Sequence, residues 1–139
     1  MKRQQYKIYL LDDDPDDLEL ISSAFEDVEC SSGISCFTTS LDLLDNLDLI
    51  ESNELPDIII LDHQMPLLNG GDIVTQIRNN KKYNDITIAI YSTIVQSAKI
   101  EDMLSNGVDF YLSKGNSIDE LKKHVDLFCN AIVKKQSEN

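Results

Sequence analysis

The chain has 139 residues, 42% of them hydrophobic and 27% charged, which suits a single domain with one hydrophobic core. Its 25 acidic and 12 basic residues give a formal net charge of −13, and such a surface repels phosphate backbones and anionic lipid headgroups. The composition therefore argues against direct binding to nucleic acid or to a membrane, and no apolar run approaches the roughly 20 residues that span a bilayer.

Two strands and two helices are predicted in the first third of the chain. The first strand, residues 7–11, runs into three aspartates, and the last of them, Asp14, can cap a helix that has Pro15 at its first position. Apolar residues then recur at helical spacing, at Leu18, Ile21, Phe25 and Val28. A second strand at residues 34–37 precedes a second helix that carries Leu41, Leu44 and Leu47.

The middle of the chain continues the alternation. Residues 57–61 and 86–91 are isoleucine-rich runs without polar alternation, as in strands that are buried on both faces. A third helix is predicted between them at residues 72–79. A fourth helix is predicted at residues 95–106, with Gly107 as its C-terminal stop.

A fifth strand at residues 109–112 is followed by a last helix, in which Ser117 and Glu120 can form a capping box. Strand–helix alternation repeated five times predicts an α/β fold, a doubly wound parallel sheet with helices on both faces. Residues 1–139 read as one domain, with a core at about 6–132 and a polar tail at 133–139 that is expected to fray.

Chemically active side chains follow four of the five strands. They are Asp12 and Asp13 after the first, Asp62 after the third, Ser92 after the fourth and Lys114 after the fifth. Because functional groups of a parallel sheet gather beyond the carboxyl ends of its strands, these side chains are expected to meet. Clustered carboxylates repel one another unless a hard cation such as Mg²⁺ binds them. A carboxylate nucleophile beside a metal, an ammonium and a hydroxyl is a complete set for phosphoryl transfer to aspartate.

The sequence resembles the receiver domains of response regulators in two-component signalling. The resemblance rests on the acidic pair after YLL, the segment PDIIILDHQMP, Gly70, Ser92, Tyr111 and Lys114 in DFYLSK. The spacings 92 − 62 = 30 and 114 − 62 = 52 are usual for that family. The resemblance covers the chain from about Tyr6 to Ile132. It implies a flavodoxin-like sheet of order 2-1-3-4-5 with five helices, in a stand-alone receiver like those of chemotaxis.

The resemblance also implies a role for each site residue. Asp62 would accept the phosphoryl group, as a phosphoacceptor that assists its own phosphorylation and dephosphorylation and is not an enzyme with turnover. The Mg²⁺ ligands would be Asp13, Asp12 through water, Asp62 and the backbone carbonyl of Gln64. Lys114 and Ser92 would bind the phosphate.

The same resemblance implies a switch and a set of partners. Tyr111 would be the rotamer switch that follows Ser92 when phosphorylation draws it inward. The face made by the fourth helix, last strand and last helix would then bind an effector protein. The phosphoryl group would come from a histidine kinase or a histidine phosphotransfer protein. With no output domain after the last helix, signalling by contact is expected.

Two positions bear on details of the family pattern. Gly115 stands where the family usually has proline after the lysine, which puts the rigid placement of Lys114 in question. Ile94, two residues beyond Ser92, borders the path of the attacking water in this family, so its apolar side chain is expected to slow hydrolysis. An unchanged dephosphorylation rate in Ile94→Asn would contradict this expectation about Ile94.

Two other functions compete with this interpretation. A degenerate receiver would act only as an interaction module, and Gly115 leaves room for it. Asp12 and Asp14 after an N-terminal strand also resemble a haloacid-dehalogenase-type phosphatase, although no acidic cluster follows Lys114. Cys30, Cys36 and Cys129 have no metal-type spacing and are expected to be unpaired buried thiols of a reducing, cytoplasmic compartment. His124 is expected to be solvated.

Overall fold

The structure, a computed structural model, describes residues 5–93, 96–115 and 117–138. Its strands are β1 Tyr6–Leu11, β2 Ser31–Phe37, β3 Ile58–Leu61, β4 Thr87–Ser92 and β5 Phe110–Ser113. Its helices are α1 Pro15–Val28, α2 Ser40–Leu49, α3 Gly70–Arg78, α4 Ser97–Ser105 and α5 Ile118–Ser137. Short 3₁₀ turns lie at Ser52–Glu54 and Lys81–Tyr83.

The five strands form one sheet in the order β2-β1-β3-β4-β5, and every neighbouring pair is parallel. The predicted α/β fold, strand order and number of helices are confirmed. The central strands β3 and β4 are buried along their whole length, which explains their unbroken apolar sequences.

Helices cover both faces of the sheet. One face packs against α1 and α5, with Phe25 and Phe128 fully buried among residues of β1 and β3. The other face packs against α2, α3 and α4 through Leu43, Ile73 and Met103. None of the helices in the described ranges is long and apolar enough to cross a membrane.

Side-chain caps define where the helices begin. The Asp14 carboxylate accepts the Asp16 N–H at 2.9 Å, with Pro15 in the first turn, as predicted. Ser117 caps α5 by accepting the Glu120 N–H at 3.1 Å. Helix α3 begins two residues earlier than predicted, because Asn69 forms a capping box with Asp72.

Two elements, β2 and α5, have boundaries that differ from the predicted ones. β2 begins at Ser31, three residues early, because it is an edge strand whose exposed polar residues hide it from an apolar pattern. The prediction that the tail frays from residue 133 was wrong, since α5 continues to Ser137. Lys135 holds this last turn through a 3.0 Å ion pair with Asp109, and Gln136 donates to Asp57.

The cysteines also differ from the prediction. Cys30 and Cys129 are buried as expected but form a disulfide, with Cα atoms 6.8 Å apart and 99 residues between them in sequence. Cys36 is unpaired as expected, yet it is exposed. The pairing depends on α5 packing beside the junction of α1 and β2, a neighbourhood that cysteine spacing does not reveal.

Candidate functional site

The ends of β1, β3, β4 and β5 bring the predicted side chains to one edge of the sheet. Asp12 follows β1, Asp62 follows β3, Ser92 ends β4 and Lys114 follows β5. Asp12, Asp62 and Ser92 are buried, with 3%, 8% and 0% of their surface exposed. Because all the strands are parallel, their carboxyl ends coincide, and the sequence-based expectation that these residues meet is confirmed.

Asp62 lies at the centre of the group. Its Oδ1 accepts the Ser92 hydroxyl at 2.8 Å and the Gln64 N–H at 3.0 Å. Its Oδ2 accepts the Lys114 ammonium at 3.0 Å. Each carboxylate oxygen therefore has a donor, and the side chain is held in one orientation.

Asp12, Asp13 and Asp62 form an acidic cluster in which one ligand oxygen from each lies within 4.8 Å of the others. Burial raises the pKa of Asp12 and outweighs the Lys114 and Asp14 hydrogen bonds, which lower it. A cation bound beside Asp12 would oppose this shift, because positive charge favours the carboxylate form. Three clustered carboxylate oxygens are the kind of hard ligand that a divalent cation such as Mg²⁺ prefers.

Lys114 contacts three carboxylates at once. Its Nζ lies 2.6 Å from Asp12 Oδ2, 2.9 Å from Asp17 Oδ2 and 3.0 Å from Asp62 Oδ2. Burial would lower the pKa of Lys114, but hydrogen bonds to the three carboxylates raise it above its ordinary value. Lys114 therefore stays protonated, and its positive charge offsets part of the negative charge of the three carboxylates.

The backbone after β5 is fixed by two consecutive amides. The Lys114 N–H donates to the Ser92 carbonyl at 3.0 Å, and the Gly115 N–H donates to the Tyr91 hydroxyl at 3.1 Å. A proline at position 115 would lack the second donor. The Tyr91 hydroxyl also lies 2.8 Å from His124 Nδ1, so the prediction that His124 is merely solvated was wrong.

The loop after β3 brings α3 close to the site. A Cβ added at Gly70 would lie 3.0 Å from His63 Cα and from Ile90 Cδ1, so a larger residue would push α3 away. This close approach is the physical reason for the glycine at this position. Asn69, one residue earlier, starts the helix.

Some predicted roles are not tested by these contacts. The Tyr111 hydroxyl bonds Ser113 Oγ at 3.1 Å near the surface, and its switch role stays a prediction. The carbonyl of Gln64 as a metal ligand is likewise a prediction. Ile94, expected to shield the phosphoryl group, and Val95, the predicted start of the fourth helix, lie outside the described residues.

Sequence reasoning missed Asp17. Its position in the first turn of α1 is typical of an acidic residue that favours a helix N-terminus, so nothing in the local pattern distinguishes it from Asp16. Its contact with Lys114 joins residues 97 positions apart and required the packed structure.

Comparison with known proteins places these features in a family. The chain matches the model of the response regulator receiver domain over residues 8–126. It is 28% identical over 121 residues to the "Probable methanogenesis regulatory protein FilR2" of Methanothrix harundinacea, covering 86% of this chain and 78% of that protein. It is 33% identical over 79 residues to a chemotaxis protein CheY homologue of Campylobacter jejuni, covering 57% of this chain and 61% of that protein.

A solved structure shows the same architecture. The receiver domain of the Francisella response regulator 1452 superposes with a TM-score of 0.72 and 25% sequence identity, covering 91% of this chain and 98% of that one. The match includes the sheet and its helices. The acidic edge described above therefore lies on a fold that this solved receiver domain shares.

Proposed function

The chain belongs to the response regulator receiver domains, and we propose that it works as a phosphorylation-dependent switch with Asp62 as the phosphoacceptor. The observation that carries the proposal is the set of donors around one carboxylate. Ser92, Gln64 and Lys114 all donate to Asp62, and two further carboxylates lie beside it. Asp62 thus combines a nucleophilic oxygen with groups that can neutralise a transferred phosphoryl group.

The proposed chemistry is a single transfer. An Asp62 oxygen attacks phosphorus, the new O–P bond forms, and the bond from phosphorus to the donor nitrogen or oxygen breaks. The leaving group keeps the electron pair and takes a proton from solvent. Lys114 and the Ser92 hydroxyl would turn from Asp62 to the phosphoryl oxygens, whose charge they balance.

Mg²⁺ is the cofactor we propose, held by Asp12, Asp13, Asp62 and the Gln64 carbonyl. Receiver domains as a family bind Mg²⁺ at an acidic site, and this chain has such a cluster. The ion would neutralise negative charge on the phosphoryl group during transfer.

The switch we propose begins at Ser92. In the structure its hydroxyl donates to Asp62 at 2.8 Å, and a phosphoryl group would offer it stronger, charged acceptors. The conformation in which Ser92 reaches the phosphate would gain population, with Tyr111 following it. The face formed by α4, β5 and α5 would thereby change its conformation, and an effector protein would bind the changed face.

The partners we propose are a histidine kinase or histidine phosphotransfer protein upstream and an effector protein downstream. Family membership supports the kind of partner and not its identity. A cytoplasmic location is proposed on the same basis. The Cys30–Cys129 disulfide is unusual for that compartment, where thiols are generally kept reduced.

The proposal is tested by phosphorylation from a small donor. Purified protein is incubated with phosphoramidate and Mg²⁺ and followed by intact-mass spectrometry. We expect a single labile phosphate adduct that disappears in Asp62→Asn and on chelation of Mg²⁺. Asp57→Asn serves as the matched control, because Asp57 precedes β3 at the opposite end of the strand.

Three outcomes would contradict the proposal. An adduct retained in Asp62→Asn would move the site elsewhere. The absence of any adduct would favour an interaction module. Rapid cycling of a chromogenic phosphate ester would favour a phosphatase, since a receiver is modified about once and does not turn over quickly.

A further inference from the structure

We propose that Asp17 is a positioning residue that holds the Lys114 ammonium at Asp62. The inference rests on the proposed phosphoacceptor role and adds a residue to that site. Asp17 Oδ2 lies 2.9 Å from Lys114 Nζ, closer than the 3.0 Å contact between Lys114 and Asp62. It is a third, independent carboxylate on the same ammonium.

The contact is partly shielded from water. The Lys114 side chain is 13% exposed, and that of Asp17 is 35% exposed. A lysine ammonium has three donors, and here each can meet a different carboxylate, on Asp12, Asp17 and Asp62. The ammonium is thus restrained from three directions.

Asp17 differs from the other two partners of Lys114 because it lies outside the acidic cluster. Asp12 and Asp62 belong to the group that would hold a cation, and Asp62 would also carry the phosphoryl group. Both would exchange contacts during transfer. Asp17, on the first turn of α1, has no such competing role and can keep its hold on Lys114 throughout.

The side chain of Lys114 needs such an anchor. Its backbone is fixed by the Ser92 carbonyl, and the next residue by the Tyr91 hydroxyl. A lysine stem of four carbons remains flexible beyond a fixed backbone, unlike the rigid fork of arginine. Asp17 restrains the end of that stem, where the charge must meet the incoming phosphoryl group.

Asp16 provides the matched control. It is adjacent, also acidic, and also in the first turn of α1, so it shares any effect of charge on the helix N-terminus. Its side chain has no hydrogen bond or ion pair within the part of the chain that the structure describes. A role specific to Lys114 therefore separates Asp17 from Asp16.

The first measurement is the rate constant for phosphorylation by phosphoramidate with saturating Mg²⁺. We expect Asp17→Asn to lower it roughly tenfold, because a loosely held ammonium is misplaced for much of the time. Asp16→Asn should stay within about twofold of the wild type, a change typical of a screened surface charge. Asp17→Glu should recover part of the loss, since it keeps a carboxylate.

The second measurement needs no phosphorylation. ¹⁵N NMR detects the Lys114 side-chain ammonium of the unmodified protein when its hydrogen bonds slow proton exchange with water. We expect this signal in the wild type and in Asp16→Asn, and its broadening beyond detection in Asp17→Asn. If the wild type takes up no phosphate, the proposed function fails while this signal still decides the role of Asp17.

The inference is overturned in either of two ways. Equal phosphorylation rates in Asp17→Asn and Asp16→Asn would show that the contact does not assist transfer. A reduced rate with an unchanged ammonium signal would show that Asp17 acts by another route. Should Asp17→Asn not fold, the same two readouts on Asp17→Glu, with an intermediate rate and a weakened signal expected, decide between these outcomes.

Discussion

Tyr91 shows how one side chain joins the site to a helix. It precedes Ser92 in β4, and successive side chains of a strand point to opposite faces. Its hydroxyl accepts the Gly115 N–H and can donate its own proton to His124 Nδ1, 2.8 Å away. Burial raises the pKa of Tyr91, so the phenol stays neutral and able to donate. Tyr91 thereby ties α5 to the segment that carries Lys114.

Replacing Tyr91 with phenylalanine should therefore destabilise the fold. The Gly115 N–H and His124 Nδ1 would both lose this partner, and we expect the free energy of unfolding to fall by about 1–3 kcal/mol. Urea denaturation of the unphosphorylated protein measures the change. Tyr111→Phe is the control, expected to change the free energy of unfolding by less than about 0.5 kcal/mol, because the Tyr111 hydroxyl bonds Ser113 at an exposed position. Equal losses in both variants would show that the Tyr91 contacts contribute nothing specific.

At the scale of elements, Arg78 joins the end of α3 to the segments that lead into β4 and β5. Its guanidinium donates to the carbonyls of Gly107, Tyr83 and Ile86 and to Asp109 Oδ2, all within 3.1 Å. Gly107 has a φ of 112°, and a Cβ there would lie 2.6 Å from Arg78 Cγ. The glycine predicted only as a helix stop thus also makes room for this arginine.

A lysine at position 78 should not replace the arginine. A single ammonium cannot reach four acceptors spread over two segments, so we expect Arg78→Lys to lower the free energy of unfolding by about 3 kcal/mol. Lys122→Ala is the comparison, since its exposed 3.5 Å ion pair with Asp27 should contribute less than about 0.5 kcal/mol. The prediction is refuted if the denaturation midpoint of Arg78→Lys, like that of Lys122→Ala, coincides with the midpoint of the wild type.

At the scale of the whole molecule, the disulfide joins α5 to the start of β2. It closes a separation of 99 residues, and both sulfur-bearing side chains are buried. A cross-link over so long a segment restricts the unfolded chain more than the folded one. It also stabilises a compact state that a net charge of −13 tends to expand.

Reduction should therefore weaken the folded state. We expect Cys129→Ser to lower the free energy of unfolding of oxidised protein by about 2–4 kcal/mol, and Cys36→Ser to leave it unchanged. Thermal unfolding with and without reductant gives the same comparison on the wild type. Thiol titration of the denatured, unreduced protein should find one free thiol, at Cys36. Three reactive thiols would mean that the bond does not form.

The alternation of elements and the residues after each strand could be predicted from the sequence. Asp12, Asp62, Ser92 and Lys114 were expected to meet, because parallel strands place their carboxyl ends together whatever the details of packing. The central strands β3 and β4 could be predicted because burial on both faces leaves an unbroken apolar run. The start of the edge strand β2 could not be predicted, because its exposed polar residues interrupt any apolar pattern.

The sequence was enough to place the candidate functional residues at the ends of successive strands, and the family resemblance predicts Asp62 as the phosphoacceptor. Only the packed fold shows that Asp17 reaches Lys114, that Tyr91 contacts Gly115 and His124, and that two cysteines pair. These contacts join side chains that are distant in sequence. Their distances depend on how helices pack across the sheet, a property that periodicity and local spacing do not encode.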